Sequence, residues 1–175
     1  IPAFIGQNAT FNPVQGTVSV TPTFTNNGIS CTGLPISTLF TINPSPDVIP
    51  VANQILCDNS NSSAVNFTSN VANAQFTWTN SNNTIGLASS GIGNIPIFNA
   101  QNNGNLPLTA TISVTPTIQS GTLTCTGNAN NFTFQINPTP TVDPILNMAF
   151  CNNSTGLIDF NSTFMNNNPA VTYTW

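Results

Sequence analysis

Residues 106–117 have the sequence Leu-Pro-Leu-Thr-Ala-Thr-Ile-Ser-Val-Thr-Pro-Thr, and this stretch decides the fold class. Apolar side chains occupy every second position from 106 to 114, with Pro, Thr or Ser between them. A period of two sends alternate side chains to opposite faces of an extended chain, so the pattern predicts a strand with one buried face. The same alternation places Phe132, Phe134 and Ile136 on one face of a second strand.

Further runs of this kind lie on both sides of that stretch. About seven strands are predicted, near 51–57, 64–69, 74–80, 84–89, 95–100, 106–117 and 131–137. Clusters of Asn, Ser and Gly separate them at the spacing of a β-sandwich, and no window has the spacing of an amphipathic helix. The sequence therefore predicts an all-β, seven-stranded sandwich whose core contains Phe67, Phe76, Trp78, Ile112, Val114 and Phe134.

The chain also repeats itself with a period of 94 residues. Without a gap, residues 1–59 are identical to residues 95–153 at 25 of 59 positions, including Cys31 over Cys125 and Cys57 over Cys151. Proline-rich stretches at 43–46 and 137–140 are predicted to be short, stiff linkers. We expect three parts: the C-terminal half of one repeat (1–44), a complete repeat (45–138) and the N-terminal part of a third (139–175). On this interpretation the segment is an excerpt of a longer array.

The composition excludes several classes of function. The 175 residues include no Lys, Arg, His or Glu, and the four acidic residues are all Asp, so the net charge is -4. Nucleic acids and anionic membrane surfaces are bound through cations, so neither is an expected partner. No apolar run is long enough to insert into a membrane. Polarity comes instead from 30 Asn and 26 Thr, and the several Asn-x-Ser/Thr triplets, such as that at Asn8, are expected by chance.

Neither a catalytic centre nor a metal or cofactor site is predicted. A Ser or Thr nucleophile needs a neighbouring base, and the chain has no His or Lys to supply it. Of the four carboxylates, Asp47 and Asp58 fall in the complete repeat, and Asp143 and Asp159 in the partial third. None of the four recurs at the repeat offset, as a calcium site built into every repeat would. We therefore expect a protein that is not an enzyme and binds no cofactor.

A set of sequence blocks resembles a known family. The blocks are DVIPVANQILCDN from Asp47, then AVNFTS, FTWTNSNNTIGLASSGIGNIPIFNAQN, TATISVTPT, TCTG and FQINPTP. In this order they resemble PKD-like immunoglobulin-type repeats, found in tandem in very large Bacteroidetes surface proteins, many of which carry gliding-motility-associated C-terminal domains. The acidic turn of polycystic-kidney-disease domains proper is missing, because Trp78 is followed by Thr-Asn-Ser-Asn. The resemblance implies an immunoglobulin-like fold, type IX secretion, an extracellular cell-surface location and a structural or adhesive role without enzyme activity.

The four cysteines allow two disulfide schemes in an exported β-domain. Cys57 with Cys125 would close a 68-residue loop inside one repeat, with Cys31 and Cys151 pairing outside the segment. Cys31 with Cys57 and Cys125 with Cys151 would instead join neighbouring repeats. Loop entropy gives ~4.4 kcal/mol for the first bond and ~3.5 kcal/mol for each of the others, which does not decide between the schemes. We favour Cys57–Cys125, because most sandwich domains fold alone.

Two functions remain open at this stage. The first is a structural spacer or adhesive repeat of a large surface adhesin or filament, used in attachment or gliding motility. Its partners would be neighbouring repeats of the same polypeptide, with lateral self-association as a further contact. The second is a carbohydrate-binding sandwich that recognises surface polysaccharide through Asn, Ser and Thr side chains. A solvent-facing Trp or Tyr beside Asn would favour the second.

Overall fold

The computed structural model describes residues 2–160, 162, 171–172 and 174, and over these residues the chain is all-β. The strands are β1 (Val14–Val20), β2 (Thr23–Asn26), β3 (Ile29–Thr32), β4 (Ile36–Ile42), β5 (Gln54–Cys57), β6 (Gln75–Asn80), β7 (Ser90–Ile92), β8 (Leu108–Ser120), β9 (Leu123–Thr126) and β10 (Asn130–Asn137). One turn of 3₁₀ helix, Asn83–Ile85, lies between β6 and β7. The all-β prediction is confirmed, and the sheets are consistent with a sandwich.

Contacts divide the chain into two compact units. One unit consists of residues 50–66, 78–113 and 131–175. It contains β5, β7, β10 and parts of β6 and β8, which belong to a sheet with the strand order β5-β10-β8-β6-β7. In this sheet the first strand of the complete repeat, β5, runs parallel to the last strand, β10, with Gln54 opposite Phe134 and Cys57 opposite Asn137. Isolated antiparallel bridges join Asn61 to Asn99 and Val65 to Ile95.

The other unit consists of residues 1–49, 67–77 and 114–130. It contains two small antiparallel sheets, β1 with β4 and β2 with β3. It also contains the hairpin that the far end of β8 makes with β9, in which Thr117 lies opposite Thr126. Both units include residues from 45–138, so their limits do not coincide with the proline-rich stretches. The repeat boundaries therefore stay a prediction.

The strands recur at the same offset of 94 residues as the sequence. The Thr23–Thr32 pair of the β2–β3 hairpin corresponds to the Thr117–Thr126 pair of β8 and β9. After each hairpin a glycine N–H donates to the carbonyl of a proline, Gly33 to Pro22 and Gly127 to Pro116, at 2.9 Å in both cases. Strands β1 and β4 likewise correspond to the first part of β8 and to β10. Each copy of the repeated sequence therefore dictates the same local structure.

Three of the seven predicted strands are not regular strands. Over 64–69 and 95–100 the chain forms only the bridges at Val65, Ile95 and Asn99. There the Ser62 hydroxyl accepts the Phe98 N–H at 3.0 Å, in place of a ladder carbonyl. The predicted strand at 84–89 is wrong because the Asn82 side chain caps the 3₁₀ turn and Gly86 takes a φ of 90°, which ends any extended run.

The hydrophobic core of the complete repeat contains the six side chains expected from the alternation. All six are at most 8% exposed: Phe67, Phe76, Trp78, Ile112, Val114 and Phe134. Phe67 packs on Phe76 with ring centroids 5.6 Å apart, and Phe134 lies edge-on to both Phe98 and Phe132 at 5.1 and 5.4 Å. Buried aromatic pairs of this kind supply much of the stability of a sandwich core.

Candidate interaction surface

The sheet of β1 and β4 has an apolar face that the rest of the chain leaves largely uncovered. Val14, Val18 and Val20 lie on one side of this sheet, opposite Ile42, Thr38 and Ile36. Val20 is 52% exposed and Ile36 is 76% exposed. We call this side the open face. Apolar side chains exposed side by side on one face of a sheet make this face a candidate contact surface.

The complete repeat shows how much of this face can be buried. At the offset of 94, Val18 corresponds to Ile112, Phe40 to Phe134 and Ile42 to Ile136, and these three counterparts are all 0% exposed. In the first repeat Val18, Phe40 and Ile42 are only half-buried. The same strand pair is therefore a closed core in one repeat and a partly open surface in the other.

One aromatic contact is present in both copies. Phe4 packs edge-on against Phe40 with ring centroids 5.8 Å apart, as Phe98 packs against Phe134. Phe4 itself is 64% exposed, because nothing in the described part of the chain covers its outer side. The aromatic ring that covers the last strand of the complete repeat thus has a counterpart on β4.

A second feature common to both copies is an asparagine that ties a loop to the end of the last strand. The Asn102 amide donates to the carbonyls of Leu106 and Ile136, both at 2.8 Å, and its Oδ1 accepts the Gly104 N–H at 3.0 Å. The side chain is 3% exposed, so all of its hydrogen-bonding groups are used inside the protein. We call this arrangement the asparagine tie.

The first repeat contains the same tie. The Asn8 amide donates to the carbonyls of Asn12 at 2.8 Å and Ile42 at 2.9 Å, and its Oδ1 accepts the Thr10 N–H at 2.9 Å. The sequence analysis did not single out this role and counted Asn8 only as a chance glycosylation triplet. The signal was present in the Gln-Asn pair that recurs at 7–8 and 101–102. Because its amide nitrogen is engaged twice, Asn8 is not free to carry a glycan in this fold.

The complete repeat adds a carboxylate to its tie. Asp58 Oδ1 accepts the Asn102 N–H at 2.7 Å, and the Asp58 N–H donates to the Asn137 carbonyl at 2.7 Å. The neighbouring Asn59 N–H donates to the Ala100 carbonyl at 2.8 Å. This turn therefore fixes the end of β5 to the loop and to the end of β10.

The turn that contains Asp58 occurs a second time in the chain. Asn59 and Asn153 both have a φ of 62°. The Ser60 N–H donates to the Cys57 carbonyl at 3.1 Å, and the Ser154 N–H donates to the Cys151 carbonyl at 3.0 Å. This one turn is thus reproduced at 151–154, although no strand is assigned among the described residues after 139.

The four cysteines are free thiols in the structure, with Cys125 half-buried and the other three exposed. Neither the favoured Cys57–Cys125 bond nor the inter-repeat alternatives are formed. Cys57 lies opposite Asn137, and Cys125 lies opposite Ile118, so the strand registers do not pair the two. The connectivity of the oxidised protein stays a prediction.

Peptide mapping under non-reducing conditions measures that connectivity. The sequence analysis favours a peptide that contains Cys57 joined to Cys125. A peptide joining Cys31 to Cys57 would contradict this pairing in favour of bonds between repeats, and alkylation of all four thiols would contradict both schemes. Trypsin has no Lys or Arg to cut at, so the digestion needs another protease.

The proline-rich stretch before the complete repeat is packed rather than free. Pro44 and Pro46 are buried, and a Cβ built on Gly127 would lie 1.7 Å from the Pro46 carbonyl oxygen. Asp47 then binds the chain near residue 70: its Oδ1 accepts the Ser69 hydroxyl at 2.7 Å and the Asn70 N–H at 2.8 Å. The expected linker is therefore a fixed joint at this position.

The hydrogen bonds at this joint lower the pKa of Asp47, first of all the one from the Ser69 hydroxyl and then the one from the Asn70 N–H. Because the folded pKa lies below the ordinary value of 3.8, ionised Asp47 stabilises the folded state fully above that pH. The contribution is lost as the pH falls through the lowered pKa.

We therefore expect Asp47→Asn to reduce stability at pH 7 by up to about 1 kcal/mol, because the side chain is only partly buried and solvent screens its charge. The difference from the wild type should shrink at pH 2. Urea unfolding at both pH values measures it, with the exposed Asp159→Asn as a matched control. A difference that is the same at both pH values would contradict the role of the charge.

Other chemical groups are not brought together. An open, polar groove of about 350 Å³ is lined by residues 45–48 and 126–130, and its carboxylate, Asp47, is already engaged. In the described ranges no three His, Cys, Asp or Glu side chains are grouped so that they could hold a metal ion. Within the same ranges no helix has the length and apolar character needed to cross a bilayer.

The tryptophan of the complete repeat does not face solvent. Trp78 is 5% exposed, its ring lies against Gly91, and the Asn80 amide two residues later donates to the Leu87 and Ala88 carbonyls. Neither side chain is presented for stacking on a sugar or for hydrogen bonding to one. Tyr173 and Trp175 lie outside the described residues.

No family model matches the chain, and no curated protein matches it. The proposals below therefore depend on the residues and contacts described above and on the resemblance of the sequence blocks.

Proposed function

We propose that this chain is a load-bearing spacer and adhesive repeat of a large extracellular surface protein, built from tandem immunoglobulin-like, PKD-like sandwiches of seven strands. Its partners are neighbouring repeats of the same polypeptide. The observation that carries the proposal is the parallel pairing of β5 with β10, the first and last strands of the complete repeat.

This pairing has a mechanical consequence. When a repeat is pulled by its two ends, β5 and β10 are drawn in opposite directions along their common axis. The hydrogen bonds between Gln54–Cys57 and Phe134–Asn137 are then loaded together, in shear, instead of one after another. The fixed joint at Asp47 and the tie at Asn102 hold the chain just outside these two strands. Such an arrangement suits a segment that transmits tension.

The carbohydrate-binding alternative has less support. Its expected side chains are a solvent-facing Trp or Tyr beside Asn, and the described tryptophan and its neighbouring Asn80 are both buried. The exposed aromatic side chains in the described ranges are phenylalanines, among them Phe4, Phe11 and Phe24. These three side chains belong to the first repeat. In the complete repeat Phe134, the counterpart of Phe40, is buried.

Single-molecule force spectroscopy tests the proposal on the full chain held by its two ends. We expect one unfolding event with a contour-length gain of about 300 Å, since about 94 residues extend by roughly 3.4 Å each and the folded span is subtracted. Gln54→Pro and Ile55→Pro should lower the unfolding force, because proline removes a ladder N–H. Both variants are needed, because only every second residue of β5 forms hydrogen bonds with its parallel neighbour β10.

Leu123→Pro and Thr124→Pro in β9 are the matched controls, since β9 pairs with β8 alone among the described strands and is not loaded by the ends. If the β5 and β9 variants with equal loss of thermal stability also lose equal force, the shear interpretation is wrong. Extension without a distinct unfolding force, as for an unstructured linker, would contradict the load-bearing role altogether.

A further inference from the structure

The outer side of the sheet in the complete repeat carries hydroxyl groups. On β8 the inward residues Ala110 and Ile112 are wholly buried, and hydroxyl side chains alternate with them on the other side. The same alternation continues on the two strands beside β8, which are β6 and β10. All of the residues concerned belong to the same compact unit. We call these six side chains the hydroxyl face: Thr79, Ser81, Thr109, Thr111, Ser113 and Thr133.

The side chains of the hydroxyl face form rows across the strands. The Ser81 N–H donates to the Thr111 carbonyl at 3.0 Å, so these two residues lie side by side. The Thr77 hydroxyl lies 3.5 Å from the Thr115 carbonyl oxygen, so β6 and β8 run in opposite directions. The next row therefore contains Thr79 and Ser113. On the other side of β8, the row of Thr111 is continued by Thr133, because their counterparts at the offset of 94, Thr17 and Leu39, are paired.

The positions of these hydroxyl groups are regular and fixed. Side chains on one face of a sheet recur about 6.8 Å apart along a strand and about 4.8 Å apart between strands. Threonine is β-branched, so its side chain is stiff about χ1 and its hydroxyl follows the strand. The inward neighbours Ile112, Phe132 and Phe134 are at most 3% exposed, so the backbone under the face is held by the core.

The hydroxyl face has free hydrogen-bonding groups and no charge. Among the described residues, the hydroxyl groups of Thr79, Thr109, Thr111 and Thr133 make no hydrogen bond inside the protein. The Ser81 hydroxyl accepts the Thr111 N–H at 2.8 Å, and its own O–H is left to donate. None of the four Asp residues lies on β6, β8 or β10. A ligand of this face is therefore neutral and bound through hydroxyl groups.

We propose that the hydroxyl face binds ice. Water molecules bonded to the hydroxyl groups take the spacing of the array, and hexagonal ice has rows of oxygen atoms with repeats close to both spacings of a sheet face. The ordered water layer can then join the lattice of a crystal. Charged side chains would hold oriented hydration shells of their own, and the face has none. The proposal goes beyond the load-bearing role, because it concerns the outer side of a repeat and not its two ends.

A polysaccharide fits this face less well than ice does. The aromatic side chains of the same three strands point inward and are at most 8% exposed, so none of them is available for stacking on a sugar ring. The polar groove at 45–48 and 126–130 includes no residue of the hydroxyl face. The neighbouring Gln135 amide already donates to the Asn137 side chain at 3.1 Å. Ice requires neither a ring nor a groove, only a regular array.

Partition of the full 175-residue chain between slowly growing ice and the remaining liquid tests the proposal. We expect the chain to be enriched in the ice, from which ordinary solutes are excluded. Thr111→Tyr and Thr133→Tyr should each lower this partition by about tenfold, since the ring stands above the array and keeps the lattice away. Tyrosine is favourable in strands and both positions face outward, so the thermal unfolding transition should be kept.

Thr122→Tyr is the matched control. Thr122 is an exposed threonine in the turn between β8 and β9, outside the hydroxyl face, so the partition into ice should be unchanged. Exclusion of the unmodified chain from the ice would overturn the proposal. A loss for Thr122→Tyr as large as the losses for Thr111→Tyr and Thr133→Tyr would also overturn it.

Two further measurements identify another ligand of the same face. If the chain is excluded from ice but is retained on insoluble cellulose or chitin, and Thr111→Tyr abolishes that retention, the face is a carbohydrate site and the proposal is wrong. If it is excluded from ice and sediments as a dimer that Thr111→Tyr dissociates, the ligand is a second copy and the proposal is again wrong. A chain that enters ice but unfolds at low force contradicts the load-bearing role alone.

Discussion

Phe134→Ala should lower the free energy of unfolding of the complete repeat by about 3–5 kcal/mol, through the cavity that it leaves. Phe134 is 0% exposed and lies edge-on to both Phe98 and Phe132, so the neighbouring side chains cannot fill the space without breaking other contacts. Such a loss approaches the whole stability of a small domain. Urea unfolding followed by circular dichroism measures it.

The chain supplies its own control in Phe40→Ala. Phe40 has the same place in the repeat and the same aromatic partner, but it is only half-buried on the open face. We expect a loss well under half of that at Phe134, since less area is removed from contact. The comparison is made at a concentration at which the chain is monomeric. Equal losses for the two variants would mean that the open face is covered in solution even in the monomer.

Asn102→Asp should destabilise the complete repeat by about 3–5 kcal/mol at pH 7, although the two side chains have the same shape. The carboxylate cannot donate to the Leu106 and Ile136 carbonyls, and it adds a buried charge next to Asp58. Both effects raise the pKa of the introduced group in the folded state. The destabilisation is therefore full above the folded pKa and shrinks as the pH falls below it.

Asn8→Asp is the matched substitution in the first repeat. Asn8 makes the same two donor contacts, but it is half-buried and has no carboxylate beside it, so we expect a much smaller loss. Urea unfolding at pH 7 and pH 4 distinguishes the cases. An Asn102→Asp variant as stable as the wild type at pH 7 would mean that the tie does not contribute to the fold.

The strands that could be predicted from the sequence are those in which packing alone sets the pattern. Alternation identified β8 and β10 because their inward residues, such as Ile112 and Phe134, are wholly buried and their outward residues are hydroxyls and amides. It failed over 64–69 and 84–89, where side chains of Ser62 and Asn82 take backbone hydrogen bonds. In a chain with so many amide and hydroxyl side chains, the competition between side chains and backbone groups for hydrogen bonds is local. It leaves no periodic pattern in the sequence.

The candidate surface was predictable only in outline. The 94-residue offset indicated that residues 1–44 are the C-terminal half of a repeat, but not that Val20 and Ile36 would be exposed there. The asparagine tie was not recognised, since Asn8 and Asn102 are two among 30 asparagines and their partners are backbone carbonyls without a sequence signature. The packed joint at Pro46 depends on Gly127, which lies 81 residues further along the chain, and no local pattern connects the two.

The asparagine tie has a consequence for how the protein responds to its medium. Proteins held by ion pairs lose or gain stability when dissolved salt screens their charges. Here the loop is fixed by neutral amide groups that donate to carbonyls, and the sequence offers no side-chain cation for an ion pair. Screening therefore has little to act on at the tie, and we expect its contribution to stability to be nearly the same at low and high ionic strength.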